Sequence, residues 1–265
     1  MKKILITGAG SYIGTSVENY LSKFDGKYQV DTLDMLDKNW REKDFSPYDC
    51  VFHVAGIAHI KETAENASLY YTVNRDLAVE TAEKAKESGV GQFIFLSSMS
   101  VYGIEEGAIG FDTKPCPKSN YGKSKLQAEE KMASLASDSF RIATLRPPMV
   151  YGDGCKGNYQ SLIKFAKICP VFPNYKNKRS VIHIDALAEH IKTLIDQEKS
   201  GLFLPQDEEY ACTCQMVRDI AEKSGKKLPL LTLLNPAVSL LKHCTTKGKK
   251  AFGDLYYTRS EEETL

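Results

Sequence analysis

The chain has 265 residues, 42% of them hydrophobic and 26% charged, with a formal net charge of +1. That length is ample for a sizeable core, and the composition is that of a globular protein rather than a disordered or fibrous one. A charge balance this even provides no field for a polyanion, which argues against nucleic acid as a partner.

Lys2 to Thr7 reads as a strand, and Gly8-Ala9-Gly10-Ser11-Tyr12-Ile13-Gly14 as a tight turn into a helix carrying Val17, Tyr20 and Leu21. This is the first unit of a dinucleotide-binding fold. Glycines let the backbone approach a pyrophosphate, and unpaired N–H groups at the helix start receive its charge, so Gly8, Gly10, Ser11, Tyr12, Ile13 and Gly14 are candidate cofactor-binding residues. The spacing departs from G-x-G-x-x-G and from G-x-x-G-x-x-G, with Ser11 where a middle glycine would stand. Serine can cap the helix and donate to a phosphate.

A second strand, Tyr28 to Leu33, ends at Asp34. An acid there holds the adenosine ribose hydroxyls and repels a 2′-phosphate, which predicts NAD rather than NADP; the alternative is a turn residue capping the next segment. Asp44-Phe45 is a candidate adenine edge. Asp49 to Gly56 reads as a strand buried on both faces, ending in small residues, Val54-Ala55-Gly56, where a cofactor can lie. A helix from Asn74 to Ser88 and a strand from Gln92 to Leu96 follow, leading to Ser97-Ser98-Met99-Ser100. The alternation predicts right-handed crossovers, hence an α/β, doubly wound parallel (Rossmann) sheet with ligands at the strands' carboxyl ends.

Tyr121 and Lys125 lie four apart on the next helix and share a face, so the ammonium can sit beside the ring and lower the phenol's pKa. Alone, such a pair is usually a solvated helix face.

Taken in order, these positions resemble the extended short-chain dehydrogenase/reductase family, in its NAD-dependent epimerase/dehydratase branch, of UDP-glucose 4-epimerase-like type. The resemblance also takes in Leu145-Arg146-Pro147-Pro148, Val150-Tyr151-Gly152, Arg179 and Ile182-His183-Ile184-Asp185, and it spans residues 4–185. It implies a triad in which Ser98 bonds the reacting sugar oxygen, Tyr121 moves its proton, and Lys125 tunes Tyr121 and holds the nicotinamide ribose. It further implies Asn74 near the cofactor, Pro147 passing the nicotinamide, and Asn158 and Arg179 receiving the substrate's diphosphate. Arg179 as a surface charge beside Lys176 and Lys178 is the other reading.

Met99-Ser100 stand where 4,6-dehydratases of the family carry an acidic pair. Dehydration is therefore disfavoured, and the resemblance implies an NAD-dependent nucleotide-sugar 4-epimerase acting through a transient 4-keto intermediate on a UDP-sugar. The alternatives are a nucleotide-4-ketosugar reductase of surface-polysaccharide synthesis, NAD(P)-dependent, and a non-enzymatic NAD-binding sensor or scaffold. Met149, roughly where galactose-type epimerases place a substrate-contacting Asn, weighs toward the reductase.

The expected domains are residues 1–152 with 181–196 for NAD, and a trimmed substrate lobe of 153–180 with 197–265. His53 and His59 have no metal-ligand spacing, and no metal is expected. Cys212-Thr213-Cys214 is one residue short of a redox or zinc pair. Seven cysteines, an odd number without a secretory start, point to reduced thiols in the cytoplasm. Leu228 to Leu241 is apolar but too short and Pro-broken to span a bilayer, leaving core packing, a homodimer contact or an interfacial helix. The charged tail from Arg259 is expected to fray.

Overall fold

The computed structural model describes residues 1–58, 60 and 62–259. His59 and the tail beyond Arg259 lie outside the described residues. In chain order the first elements are β1 (Lys2–Thr7), α1 (Tyr12–Leu21), β2 (Tyr28–Leu33), β3 (Cys50–His53), α2 (Ala67–Tyr71), α3 (Leu77–Glu87) and β4 (Gln92–Leu96). Next come β5 (Gly107–Ile109), α4 (Asn120–Ala133), β6 (Arg141–Leu145), β7 (Met149–Tyr151), α5 (Asn158–Ile168), β8 (Phe172–Pro173) and β9 (Val181–His183). The last are α6 (Ile184–Gln197), β10 (Gly201–Phe203), α7 (Thr213–Lys223), β11 (Leu230–Leu231), α8 (Asn235–Cys244), α9 (Thr246–Phe252) and β12 (Leu255–Tyr257).

Two compact units result, and they interleave along the chain. The first comprises residues 1–103, 115–148 and 183–205. Its six-stranded sheet runs β10-β6-β4-β3-β1-β2, parallel throughout. Strand order turns back at β1, with β2 on one side and β3 on the other, which opens a crevice at their carboxyl ends. Side chains alternate across the sheet. Leu5, Val51, Phe93 and Phe95 pack on Ala78, Ala82 and Ala85 of α3 and Ala128 and Met132 of α4. Three alanines at i, i+4 and i+7 let α3 lie close to the strands. α1 packs against α6.

The second unit comprises residues 104–114, 149–182 and 206–265. Its core gathers Ala166, Phe172, Cys214, Val217, Leu228, Val238 and Phe252. Three two-stranded pairs, β5–β12, β7–β9 and β8–β11, join segments far apart in sequence.

The unit boundaries depart from the expected ones in four places, two of them small: the first unit breaks off at 148 rather than 152 and resumes at 183 rather than 181. Residues 104–114 leave the first unit because β5 pairs with β12, Ile109 opposite Tyr257. The returning segment runs to 205 rather than 196 because β10 adds the sheet's edge strand beside β6.

Candidate active site

The glycine turn is shaped by close approach. Gly8 has φ +99°, and a Cβ there would stand 2.9 Å from the Ala55 backbone, so only glycine lets the turn lie against Val54-Ala55-Gly56. Gly14 is equally confined, by Ser11 Oγ and Val54. Gly10, at φ +71°, faces open space. Ser11 is the N-cap of α1, its Oγ accepting from Gly14 N at 3.2 Å while its own proton remains available to a ligand oxygen. The N–H groups of the first turn, including Tyr12 and Ile13, point out of the helix start as in any α-helix.

Asp34 sits beside this turn because Gly8 N and Ala9 N both donate to Leu33 O, at 2.8 and 3.1 Å. Its exposed side chain takes one bond, Oδ1 from Leu36 N at 2.9 Å, so it caps a turn while keeping a second oxygen for a ligand. Open space over Gly10, a helix N-terminus and an exposed carboxylate at the end of β2 fit a dinucleotide with an unphosphorylated ribose. Of the Asp44-Phe45 pair expected at the adenine edge, Asp44 is exposed and Phe45 is buried. Phe45 is fully buried in the core with Lys84 over its ring, and Asp44 is bonded to Ser46 N and Oγ at 2.9 and 3.0 Å.

Asn74 is fully buried, on a π-helical turn, Thr72–Asp76, between α2 and α3. Its Oδ1 accepts from Ile57 N at 2.8 Å and its Nδ2 donates to Ile57 O at 3.0 Å. The amide thereby pins the backbone just after Gly56, where a Cβ would lie 2.8 Å from Asn74 Oδ1 and 3.4 Å from Lys125 Nζ. Asn74 also donates to Ser124 Oγ at 3.4 Å, which ties the loop to α4.

Ser98 caps a 3₁₀ turn, Met99–Tyr102; its Oγ accepts from Ser100 N and donates to Ser100 Oγ, both at 3.1 Å, and its hydroxyl lies close enough to Tyr121 to lower the phenol's pKa. Pro147 is buried beside it, its carbonyl accepting from Met99 N at 3.0 Å. Tyr121 reaches Ser98 because residue 122 is glycine: a Cβ there would stand 2.6 Å from Ser100 O. Burial pushes the Tyr121 phenol above its ordinary value, and the Ser98 hydrogen bond opposes this. The expected lowering by Lys125 is not what the geometry gives. The Lys125 ammonium turns away to the Leu96 carbonyl, at 2.8 Å, and lies 4.7 Å from the Phe95 ring centre. Burial brings its pKa down to about 8, so it is still charged at neutral pH.

Three contributors escaped the sequence reading. Gly122 and Ser124 stand within the Tyr-to-Lys stretch, and a glycine inside a helix, about 1 kcal/mol worse than alanine, was the available signal for the first. Glu129 is the third, accepting from Ser97 and from Arg146, whose Nη2 lies 2.5 Å from Oε2. Ser97 and Arg146 are thus held by Glu129 in the interior.

His53 is fully buried, with Nδ1 2.8 Å from Thr7 Oγ1 and its ring stacked near Phe93 and Phe95. Burial and then Lys125 bring its pKa down to about 3, so it is neutral.

In the second unit, Asn158 is the exposed first residue of α5, whose N-cap Gly157 supplies no side-chain bond. Arg179 is part-buried, donating from Nη1 to Gly253 O at 3.0 Å, and is not the surface charge of the alternative reading; burial lowers its pKa. Cys212 and Cys214 bring their sulfurs to 3.3 Å. Among the described residues no group of three or more His, Cys, Asp or Glu could hold a metal, and no helix is long and apolar enough to cross a membrane.

The comparisons agree with this geometry. A family model described as NAD dependent epimerase/dehydratase family matches residues 4–203. The UDP-glucose 4-epimerase of Vibrio cholerae is 34% identical, covering 86% of this chain and 79% of its own. The N-acetyl-alpha-D-glucosaminyl-diphospho-ditrans,octacis-undecaprenol 4-epimerase of Escherichia coli O157:H7 is 26% identical over 97% of this chain and 83% of its own. The UDP-glucuronic acid 4-epimerase of Bacillus cereus, solved in complex with NAD, shares the fold with a TM-score of 0.74 at 21% identity, over 99% of this chain and 92% of that one. With a parallel sheet, a glycine turn and the family pattern running through three-quarters of its length, the chain belongs to the NAD-dependent epimerase/dehydratase family, enzymes of the extended short-chain dehydrogenase/reductase type.

Proposed function

We propose that the protein is a nucleotide-sugar 4-epimerase that uses bound NAD and passes through a transient 4-keto sugar. The observation that carries this reading is that the Ser98 hydroxyl lies close enough to the buried Tyr121 phenol to draw its pKa down, while Gly122 lets the start of α4 approach the Ser100 carbonyl. Ser98 orients the C4 hydroxyl, and Tyr121 takes its proton and later returns it. Bound NAD would supply the hydride acceptor for C4 and the donor that restores it. Gly8, Gly10, Ser11, Tyr12, Ile13 and Gly14 would receive the pyrophosphate, and Asp34 the adenosine ribose. Lys125 and Asn74 would hold the nicotinamide end, beside Val54, Ala55, Gly56 and Pro147. Met99 and Ser100, directly after Ser98, offer no carboxylate for the extra acid and base that a dehydration needs. The Vibrio cholerae relative, a UDP-glucose 4-epimerase by name, supports a UDP-sugar substrate. Asn158 and Arg179 are proposed to receive its diphosphate.

A 4-ketosugar reductase is the second reading, favoured by an apolar Met149 opening β7. One assay separates the two. Purified protein is given UDP-glucose or its 2-acetamido analogue without added cofactor, and the C4 epimer is sought. The undecaprenyl-diphosphate-linked sugar is assayed alongside, because the Escherichia coli relative is named for one. Formation of the epimer is expected; stoichiometric consumption of NADH or NADPH with a 4-keto sugar would replace the epimerase by the reductase. Bound NAD with no turnover of any of these would favour a sensor.

A further inference from the structure

We infer that the α8–α9 hairpin of the second unit is a docking surface for an anionic lipid bilayer. A surface helix ordinarily turns its apolar stripe toward the core. Helix α8 does the reverse. Leu233, in the turn just before it, then Pro236, Ala237, Leu240, Leu241 and Cys244 recur at helical spacing and are all exposed, Leu233 by 89% and Leu240 by 65%. The opposite side carries Val238 in the core, Asn235 bonded to Asn174 O at 3.1 Å, and Lys242 paired with Glu106 at 2.5 Å. The helix is therefore anchored by one valine and two polar residues while its leucines face outward.

Charge identifies what covers the stripe. Residues 232–253 contain no Asp or Glu, and Lys247, Lys249 and Lys250 crowd the short helix α9. Gly248 lets that helix abut the stripe, since a Cβ there would stand 2.3 Å from Leu241 O. Lys247 is exposed, and Lys250 is two-thirds exposed although it meets Glu105 at 3.5 Å. Leucines that enter the acyl boundary, with lysines beside them at headgroup level, are the arrangement of an interfacial helix. A second copy of the chain is a poorer fit. The stripe runs over twelve residues, roughly 18 Å by 10 Å, about a quarter of the ~800 Å² per partner that a stable interface needs.

The test is co-sedimentation of the full chain with vesicles of phosphatidylcholine alone or with phosphatidylglycerol added, paired with sedimentation equilibrium without lipid. Wild type should pellet with the phosphatidylglycerol vesicles and be released by salt. Leu240→Glu should weaken that partitioning about tenfold or more, and Lys247→Ala about fivefold, with melting temperatures unchanged because both side chains are exposed. Lack of binding to phosphatidylglycerol vesicles would overturn the inference, as would equal binding of Leu240→Glu. A dimer that Leu240→Glu dissociates would overturn it in favour of a second copy.

Discussion

Two adjacent serines at the end of β4 lead into opposite kinds of polar cluster. The Ser97 hydroxyl donates to Glu129, which also accepts from Arg146 Nε and Nη2, and Arg146 Nη1 donates to Tyr102 at 2.9 Å. Both charged side chains are only 9% exposed. Burial works against the Arg146 charge, but the Glu129 hydrogen bonds outweigh it and hold the guanidinium above its usual range. One residue on, Ser98 lies beside the Tyr121 phenol, and the Lys125 ammonium, its pKa lowered by burial to about 8, bonds the Leu96 carbonyl. The contrast separates structure from chemistry. Where buried polar groups close on one another they fix the fold; where they stay shifted and keep spare hydrogen-bonding capacity, a ligand completes them.

Substitutions at the two clusters should therefore break different properties. Tyr121→Phe should lower turnover by about 10² to 10⁴-fold with NAD binding and melting temperature nearly unchanged, read by steady-state kinetics and calorimetry. Unchanged turnover would remove Tyr121 from the chemistry. Glu129→Leu should do the reverse, leaving the buried Arg146 charge without its carboxylate at a cost of about 3–5 kcal/mol, or roughly 10 °C in melting temperature.

Lys125→Met sharpens the contrast. A drop from 10.5 to about 8 sets the charged form against the fold by on the order of 3 kcal/mol. The folded state holds this proton more weakly than the unfolded chain, so wild-type stability should rise as pH climbs from about 8 toward 10.5. The variant should lack that rise and be at least as stable at pH 7, while losing turnover. His53 provides an effect on the acid side. Its ordinary pKa of 6.5 falls to about 3 in the fold, so the stability it contributes is complete above pH 6.5 and is lost as pH falls toward 3. Urea midpoints at pH 7, 5.5 and 4.5 should decline, and His53→Asn should flatten the slope.

The sequence carried the parts that periodicity and turn chemistry encode. Continuous apolar runs marked β3 and β4, and glycine spacing marked the turn into α1. What it could not carry was direction. Spacing places Lys125 and Tyr121 on one face of α4, yet the ammonium turns to the carbonyl ending β4, since an unpaired buried charge is costly and Leu96 O is at hand. Phe45 follows an acid in a polar stretch, and only tertiary packing shows that its ring belongs to the core. The pairing of β5 with β12 joins residues nearly 150 positions apart, which no local pattern marks. For the outward leucines of α8 the sequence leaves core packing, a homodimer contact and an interfacial helix all open, because apolar periodicity does not say which side is covered.

The measurement that bears most directly on the central claim uses a UDP-sugar deuterated at C4. Incubated with the purified protein and no added cofactor, it should give the C4 epimer with the deuterium still at C4, because the hydride removed is the one returned. Epimer formed with the label lost to water, or no epimer from protein that retains NAD, would contradict it.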